Sequence, residues 1–217
     1  MDSSSIDAFL FDLDGTLLDS DDQSVRSLAR RIRFLRDPHS TARRLVMAAE
    51  TPGNALMTLV DILGLDGPLM GFTNRLHHWR GLRSPSNFLM VPETAPALHA
   101  LARRYRLAVV TTRGRRHAAA FLAQFDLTPL FEVLVTREST WRLKPHPAPV
   151  RHAAQALGLP PERCAMVGDT TVDVRSARRA GAWAVAVLCG FGGQRELERA
   201  GAHLILPSPA HLPDTFL

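Results

Sequence analysis

Residues 6–19 read Ile-Asp-Ala-Phe-Leu-Phe-Asp-Leu-Asp-Gly-Thr-Leu-Leu-Asp, an apolar run that ends on two carboxylates one residue apart. Because the side chains of a β-strand alternate between its faces, Asp12 and Asp14 are predicted to leave the strand end on the same side. Gly15 allows a sharp turn after them, and Thr16 places a hydroxyl beside that turn. Two carboxylates this close repel each other unless a cation lies between them or one stays protonated. A divalent cation is the simplest resolution, although an Asp-rich turn after a buried strand has the same local sequence.

Four more short apolar runs bounded by turn signals predict buried parallel strands, and a fifth predicts an edge strand. They lie at 107–110, 132–135, 164–167, 183–188 and, at the edge, 204–206. Helical patterns fall between them, over 93–104, 115–124, 147–157, 171–180 and 194–200. Gly158 and Gly181 follow two of these helices where a left-handed residue is usual. This alternation predicts an α/β fold, a Rossmann-like parallel sheet with helices on both faces.

Residues 19–91 break that alternation, because they contain no convincing strand and read as several helices separated by proline and glycine. Inserted directly after the first strand, they predict a small α-helical cap domain over a core formed by residues 1–18 and 92–217. Packing of these helices on the sheet is the alternative. The Glu-Thr-Pro-Gly-Asn turn at 50–54 is the predicted loop over the site, or else an exposed turn.

Composition bounds the class of protein. The chain has 217 residues, of which 46% are hydrophobic and 22% charged, as in a soluble globular domain. No apolar run approaches the length of a membrane span, and residues 1–5 do not begin a signal peptide, so a cytoplasmic protein is expected. Cys164 and Cys189 lie in apolar settings without metal-ligand spacing and are predicted to be buried free thiols.

The basic residues are almost all arginine. Of 26 lysines and arginines, Lys144 is the only lysine, and the formal net charge is +5. Most arginines are scattered among acidic residues and are expected on solvated helix faces, with Arg43 or Arg44 as candidates to contact an anionic leaving group. No basic stripe interleaved with aromatics is present, so nucleic acid is not an expected partner.

Ligands of an open parallel sheet bind outside the carboxyl ends of its strands, so the polar residues there deserve inspection. The strand at 107–110 runs into Thr111 and Thr112, whose hydroxyls and neighbouring N–H groups could cradle an anion. Thr111 could equally be a helix N-cap. Lys144 precedes Pro145, which favours an extended loop that points the side chain into a site, unless it is ordinary surface decoration.

A second pair of acids follows the strand at 164–167. Asp169 comes after Gly168, and Asp173 lies four residues later on the incoming helix. Asp173 can reach back toward the strand ends as a metal ligand or as the partner of a ligand. Alternatively, Asp169 or Thr170 caps the helix and Asp173 lies in its first turn.

Taken together, these motifs resemble the haloacid dehalogenase superfamily, in its phosphoglycolate-phosphatase-like branch. They are Asp12-x-Asp14-Gly15-Thr16, Thr111, Lys144-Pro145, Gly168-Asp169-x-x-x-Asp173 and the tail Gly190-Phe191-Gly192. The resemblance implies a Mg²⁺-dependent phosphatase for a small phosphorylated metabolite, either phosphoglycolate-like or a sugar phosphate.

The resemblance also assigns roles. Asp12 would attack phosphorus to form a phosphoaspartyl intermediate, and Asp14 would act first as general acid and then as general base. The implied phosphate-binding residues are Asp12, Thr16, Thr111, Thr112 and Lys144. The implied Mg²⁺ ligands are Asp12, Asp14 through its backbone carbonyl, and Asp169, with Asp173 in support.

Single residues argue for or against the other reactions of the superfamily. Dehalogenases normally lack the second acid, so Asp14 argues against that reaction. Phosphonate cleavage uses a cap lysine, and residues 1–143 contain none. A β-phosphoglucomutase-like phosphotransferase stays open as the first alternative. A non-catalytic phosphate- or partner-binding protein is the second.

Overall fold

The computed structural model of the chain describes residues 6–19 and 88–217. Within them six strands form one sheet, all parallel, in the order β3-β2-β1-β4-β5-β6. The strands are β1 (Ala8–Phe11), β2 (Arg106–Val110), β3 (Val133–Val135), β4 (Cys164–Gly168), β5 (Trp183–Val187) and β6 (Leu204–Leu206). The predicted parallel sheet is therefore confirmed, with its edge strand.

Helices cover both faces of this sheet. In the described part of the chain they are α1 (Thr94–Leu101), α2 (Arg115–Gln124), α3 (Ala148–Ala156), α4 (Thr171–Ala180), α5 (Gln194–Ala200) and α6 (Leu212–Phe216). Since side chains of β1 alternate, Phe9 and Phe11 pack in a core with α1, α2 and α6. Ala8 and Leu10 pack in the opposite core, with α3, α4 and α5. The structure thus confirms the Rossmann-like α/β prediction.

The sequence predicts some helix ends correctly and others incorrectly. Gly158 and Gly181 have φ values of 66° and 90°, as expected of glycines that end helices. The helix predicted over 93–104 stops early, at Leu101, because the chain turns there to bring Tyr105 into the core. The Tyr105 hydroxyl donates a hydrogen bond to the Phe216 carbonyl (2.7 Å). That bond ties the turn to α6, a five-residue helix that the sequence analysis missed.

The thiol prediction is half right. Cys164 and Cys189 are both free, and Cys164 is buried. Cys189 is only half-buried, because it lies in the loop after β5, where its thiol donates to the Gly15 carbonyl (3.3 Å).

The residues that flank the undescribed segment lie beside each other at the loop that follows the first strand. The Asp19 N–H donates to the Leu89 carbonyl (2.9 Å), and the Val91 N–H donates to the Leu17 carbonyl (3.0 Å). Apart from those ends, the cap predicted over 19–91 lies outside the described residues, as do the turn at 50–54, Arg43 and Arg44. None of the described helices is both long and apolar enough to cross a membrane.

Candidate active site

The loop after β1 carries the first two candidate residues. The Asp12 N–H donates to the Val167 carbonyl (2.9 Å), which extends the ladder by one residue beyond the strand. Gly15 then takes a φ of 70°, a conformation that side chains with a Cβ rarely adopt. Asp12 is buried and Asp14 half-buried, while Leu13 between them is fully buried. Each of the two carboxylates contacts a different cationic side chain, Lys144 for Asp12 and Arg113 for Asp14.

Lys144 is the cationic partner of Asp12. Its ammonium group lies 2.8 Å from Asp12 Oδ1 and 2.6 Å from Asp173 Oδ1, and it donates to the Val110 carbonyl at 2.9 Å. Burial alone would lower the pKa of Lys144, but the charges of Asp12 and Asp173 outweigh it and raise that pKa. The chain's only lysine is therefore a buried, permanently charged group that faces the predicted nucleophile.

Asp169 joins the same cluster from the end of β4. Oxygen atoms of Asp12, Asp169 and Asp173 lie within 4.8 Å of one another, and all three residues are buried. Burial and the neighbouring carboxylates of Asp173 and Asp12 raise the pKa of Asp169 well above its usual range. Burial, only partly opposed by Lys144, raises the pKa of Asp12 from 3.8 to about 7. The cluster therefore resists the simultaneous ionisation of its acids.

These residues fit a divalent cation. Three ionised carboxylates and one ammonium leave a formal charge of −2, which a divalent ion would cancel. Asp12 Oδ1 is buried, and within the described part of the chain its close polar contact is the ion pair with the Lys144 ammonium (2.8 Å). Carboxylate oxygens are the donors that Mg²⁺ prefers.

Two glycines pack directly against Asp169. A Cβ added to Gly15 would lie 2.3 Å from Asp169 Oδ2, and one added to Gly190 would lie 2.1 Å from the same atom. The Phe191 N–H donates to Asp169 Oδ2 (2.8 Å), and the Thr16 hydroxyl donates to Asp169 Oδ1 (3.3 Å). The loop after β5 thus holds this carboxylate in place. Thr16, a predicted phosphate ligand, lies at the site with its hydroxyl on Asp169.

Asp173 takes part in both arrangements that the sequence allows, the acidic cluster at the strand ends and the capped first turn of α4. Its Oδ2 accepts hydrogen bonds from the Thr170 N–H (3.1 Å) and hydroxyl (2.5 Å). Its own N–H donates to the Thr170 hydroxyl (3.4 Å), which completes a capping box with Thr170, and not Asp169, as the N-cap of α4. Its Oδ1 accepts from Lys144. Asp173 therefore lies in the cluster as predicted, but its oxygens position the lysine and the helix.

The loop after β2 places Thr111 at the same sheet edge. Thr111 is buried, and its hydroxyl accepts a hydrogen bond from the Arg113 N–H (3.1 Å). The N-cap of α2 is Gly114, so the alternative role of Thr111 as helix cap is wrong. Thr112 is exposed.

Sequence reasoning missed the partner of Asp14. Arg113 Nε lies 2.9 and 2.7 Å from the two carboxylate oxygens of Asp14, and Nη2 lies 2.5 Å from Oδ1. Burial would lower the pKa of Arg113, but the bonds and charge of Asp14 raise it. The available signal was the position of Arg113 just past the end of a strand. That position points to Asp14 only when β2 is known to lie next to β1 in the sheet.

Comparisons with known proteins agree with this geometry. A family model described as haloacid dehalogenase-like hydrolase matches residues 6–181. A plasmid-encoded phosphoglycolate phosphatase of Cupriavidus necator is 32% identical over 213 residues, which cover 95% of this chain and 91% of that protein. Pyrophosphatase PpaX of Bacillus pumilus is 29% identical over 201 residues, covering 91% and 90% respectively.

Solved structures share the fold. The crystal structure of a predicted phosphoglycolate phosphatase from Haemophilus somnus superposes with a TM-score of 0.71 at 24% identity. The match covers 98% of this chain and 99% of the other. At that identity the likeness bears on the fold alone.

Proposed function

Because this chain belongs to the haloacid dehalogenase-like hydrolases, we propose that it is a Mg²⁺-dependent phosphatase that acts on a small phosphorylated metabolite through a phosphoaspartyl intermediate on Asp12. Membership of this family makes the chain a hydrolase, and the phosphatase names of its relatives support a phosphatase over the non-catalytic alternative. Mg²⁺, the identity of the nucleophile and the substrate are the parts proposed.

One observation carries the proposal. Asp12 directly follows the central strand β1, 2.8 Å from the ammonium of Lys144 and in one cluster with the carboxylate of Asp169. Phosphoryl transfer requires mainly positioning and charge neutralisation, and these neighbours supply one fixed positive charge and one further oxygen ligand. A bound Mg²⁺, held by Asp12 and Asp169 with the Asp14 carbonyl, would supply the remaining positive charge.

In the first half-reaction a carboxylate oxygen of Asp12 forms a bond to phosphorus as the bond to the leaving oxygen breaks. Asp14, in its protonated form, gives its proton to that oxygen, so an alcohol leaves and Asp14 becomes a carboxylate. Lys144 and Thr111, with the loop through Thr112, would hold the transferring phosphoryl oxygens.

In the second half-reaction water attacks the phosphorus of the aspartyl phosphate. The Asp14 carboxylate takes the proton of the water, and the bond between phosphorus and the Asp12 oxygen breaks. Inorganic phosphate is released, Asp12 returns as a carboxylate and Asp14 is protonated again. Lys144 lies against Asp12 and is placed to offset its returning charge.

The test is hydrolysis of p-nitrophenyl phosphate with and without Mg²⁺. We expect activity that a chelator abolishes and that Asp12→Asn lowers by at least about 10³-fold. Asp7→Asn is the matched control, because Asp7 precedes the same strand at its other end and pairs there with Arg163. Activity that survives Asp12→Asn, or that ignores the chelator, would refute the mechanism.

The substrate is then sought among small phosphate esters and pyrophosphate, a phosphoanhydride. Phosphoglycolate and pyrophosphate come first, because relatives carry those names. β-Glucose 1-phosphate tests the phosphotransferase alternative, and accumulation of glucose 6-phosphate instead of inorganic phosphate would favour it. The cap proposed over residues 19–91 is expected to set this choice, since both ends of that segment lie beside the loop that carries Asp14.

A further inference from the structure

The arginine on Asp14 is more than a surface ion pair. Its guanidinium contacts both oxygens of the Asp14 carboxylate, with three N–O distances between 2.5 and 2.9 Å. Both side chains are 29% exposed, so the pair is shielded in part from solvent. Such a forked contact fixes the orientation of a carboxylate far better than a lysine could.

The backbone of Arg113 is itself held on two sides. Its N–H donates to the Thr111 hydroxyl (3.1 Å), and its carbonyl accepts from the Arg137 N–H (3.2 Å). The loops after β2 and β3 thus fix the point from which the guanidinium reaches Asp14, ninety-nine residues away in sequence. The arrangement is that of a residue that positions another.

The two half-reactions require different forms of Asp14. The first needs its carboxylic acid, and an arginine bound to both oxygens does nothing to favour a proton there. The second needs an oriented carboxylate to take a proton from water, and that is the group Arg113 contacts. We propose that Arg113 is a positioning residue for the hydrolytic half-reaction, an inference that rests on the phosphoaspartyl function proposed above.

The experiment separates the half-reactions with p-nitrophenyl phosphate and Mg²⁺. The ratio kcat/KM reports steps up to loss of nitrophenolate, whereas kcat also includes decay of the phosphoenzyme. For Arg113→Gln we expect kcat to fall about 10-fold or more, part of the 10²–10⁴ that acid–base catalysis typically contributes. KM should fall with it, so that kcat/KM stays within about 3-fold of the wild type. A stoichiometric burst of nitrophenolate should appear, and rapid-quench assays should show slower phosphoenzyme decay.

Three further variants test whether the effect comes from the guanidinium of Arg113 and acts through Asp14. Arg113→Lys should restore part of the decay rate, because it keeps the charge and loses the fork. Arg116→Gln, an exposed arginine on α2, should behave as the wild type. In an Asp14→Asn background, adding Arg113→Gln should leave the decay rate unchanged, since the group it positions is gone.

Two failures can be told apart. If the wild type hydrolyses no ester, or Asp12→Asn matches it, the proposed function fails and the inference with it. If the wild type behaves as proposed but Arg113→Gln lowers kcat and kcat/KM together, or leaves phosphoenzyme decay unchanged, only the inference is overturned. Arg113→Lys decides the question in the same assay if Arg113→Gln does not fold.

Discussion

Replacing the proposed nucleophile is expected to stabilise the metal-free protein. Burial raises the pKa of Asp12 from 3.8 to about 7, so ionising this group is harder in the folded than in the unfolded chain. At about 1.4 kcal/mol for each step of one in pKa, this rise costs the folded state about 4 kcal/mol above pH 7. An asparagine at position 12 keeps the shape of the protonated acid and carries no such cost.

The sign follows from proton binding. Between pH 3.8 and 7 the folded state holds the Asp12 proton and the unfolded state has lost it, so the stability contributed by this group falls as pH rises through that window. Below the window both states are protonated and the cost vanishes. The advantage of Asp12→Asn over the wild type should therefore be about 4 kcal/mol at pH 8 and about 2 kcal/mol at pH 5.

Urea unfolding in the presence of a chelator measures both values. Asp7→Asn is again the control and should give no gain, because it removes one side of the ion pair with Arg163. Added Mg²⁺ should then stabilise the wild type more than Asp12→Asn, since a ligand stabilises the state that binds it. An Asp12→Asn protein no more stable than the wild type at pH 8, or an advantage that does not shrink at pH 5, would refute the electrostatic account.

Two other substitutions probe the same cluster. Gly190→Ala places a Cβ 2.1 Å from Asp169 Oδ2, so we expect a loss of about 1–3 kcal/mol in stability and weaker Mg²⁺ binding by calorimetry. Gly193→Ala is the matched control, because its Cβ meets only ordinary contact at 3.9 Å, and equal effects of the two would contradict the close-packing argument. Lys144→Met leaves Asp12 and its neighbouring acids without their cation, so metal-free stability should fall by about 3–5 kcal/mol in urea. A Lys144→Met protein as stable as the wild type would show that the ammonium does not offset the buried acids.

The sheet is predictable from sequence because its strands are buried on both faces. A strand such as Cys164–Gly168 then reads as an unbroken apolar run, and glycines such as Gly181 mark where helices end. The end of α1 and the existence of α6 are not readable locally. They depend on Tyr105 and Phe216 meeting across the fold, a contact between residues 111 positions apart.

The candidate site is likewise predictable from the sequence only in part: most of its residues are, and their contacts are not. Asp12 and Asp169 are found by asking which polar residues follow the carboxyl ends of parallel strands, since topology alone brings these ends together. Lys144 stands out as the only lysine of the chain and as the residue before Pro145. Which group each side chain contacts depends on angles and distances in the folded chain. The spacing of residues along the sequence does not specify them. Thus the sequence places Thr16 near the phosphate but does not show its hydrogen bond to Asp169, and nothing in the spacing distinguishes Arg113 from the other arginines.

The distribution of charge at the sheet edge indicates where a cation is needed. Arg113 pairs with the Asp14 carboxylate, whereas the cluster of three buried acids contains one ammonium among the described residues, that of Lys144, which contacts Asp12 and Asp173. Within the three, Asp173 already directs its oxygens to Lys144 and Thr170. On the proposed function, the cation would therefore be expected between Asp12 and Asp169. A buried acid pair left short of positive charge destabilises a fold, and a bound divalent cation would offset that cost.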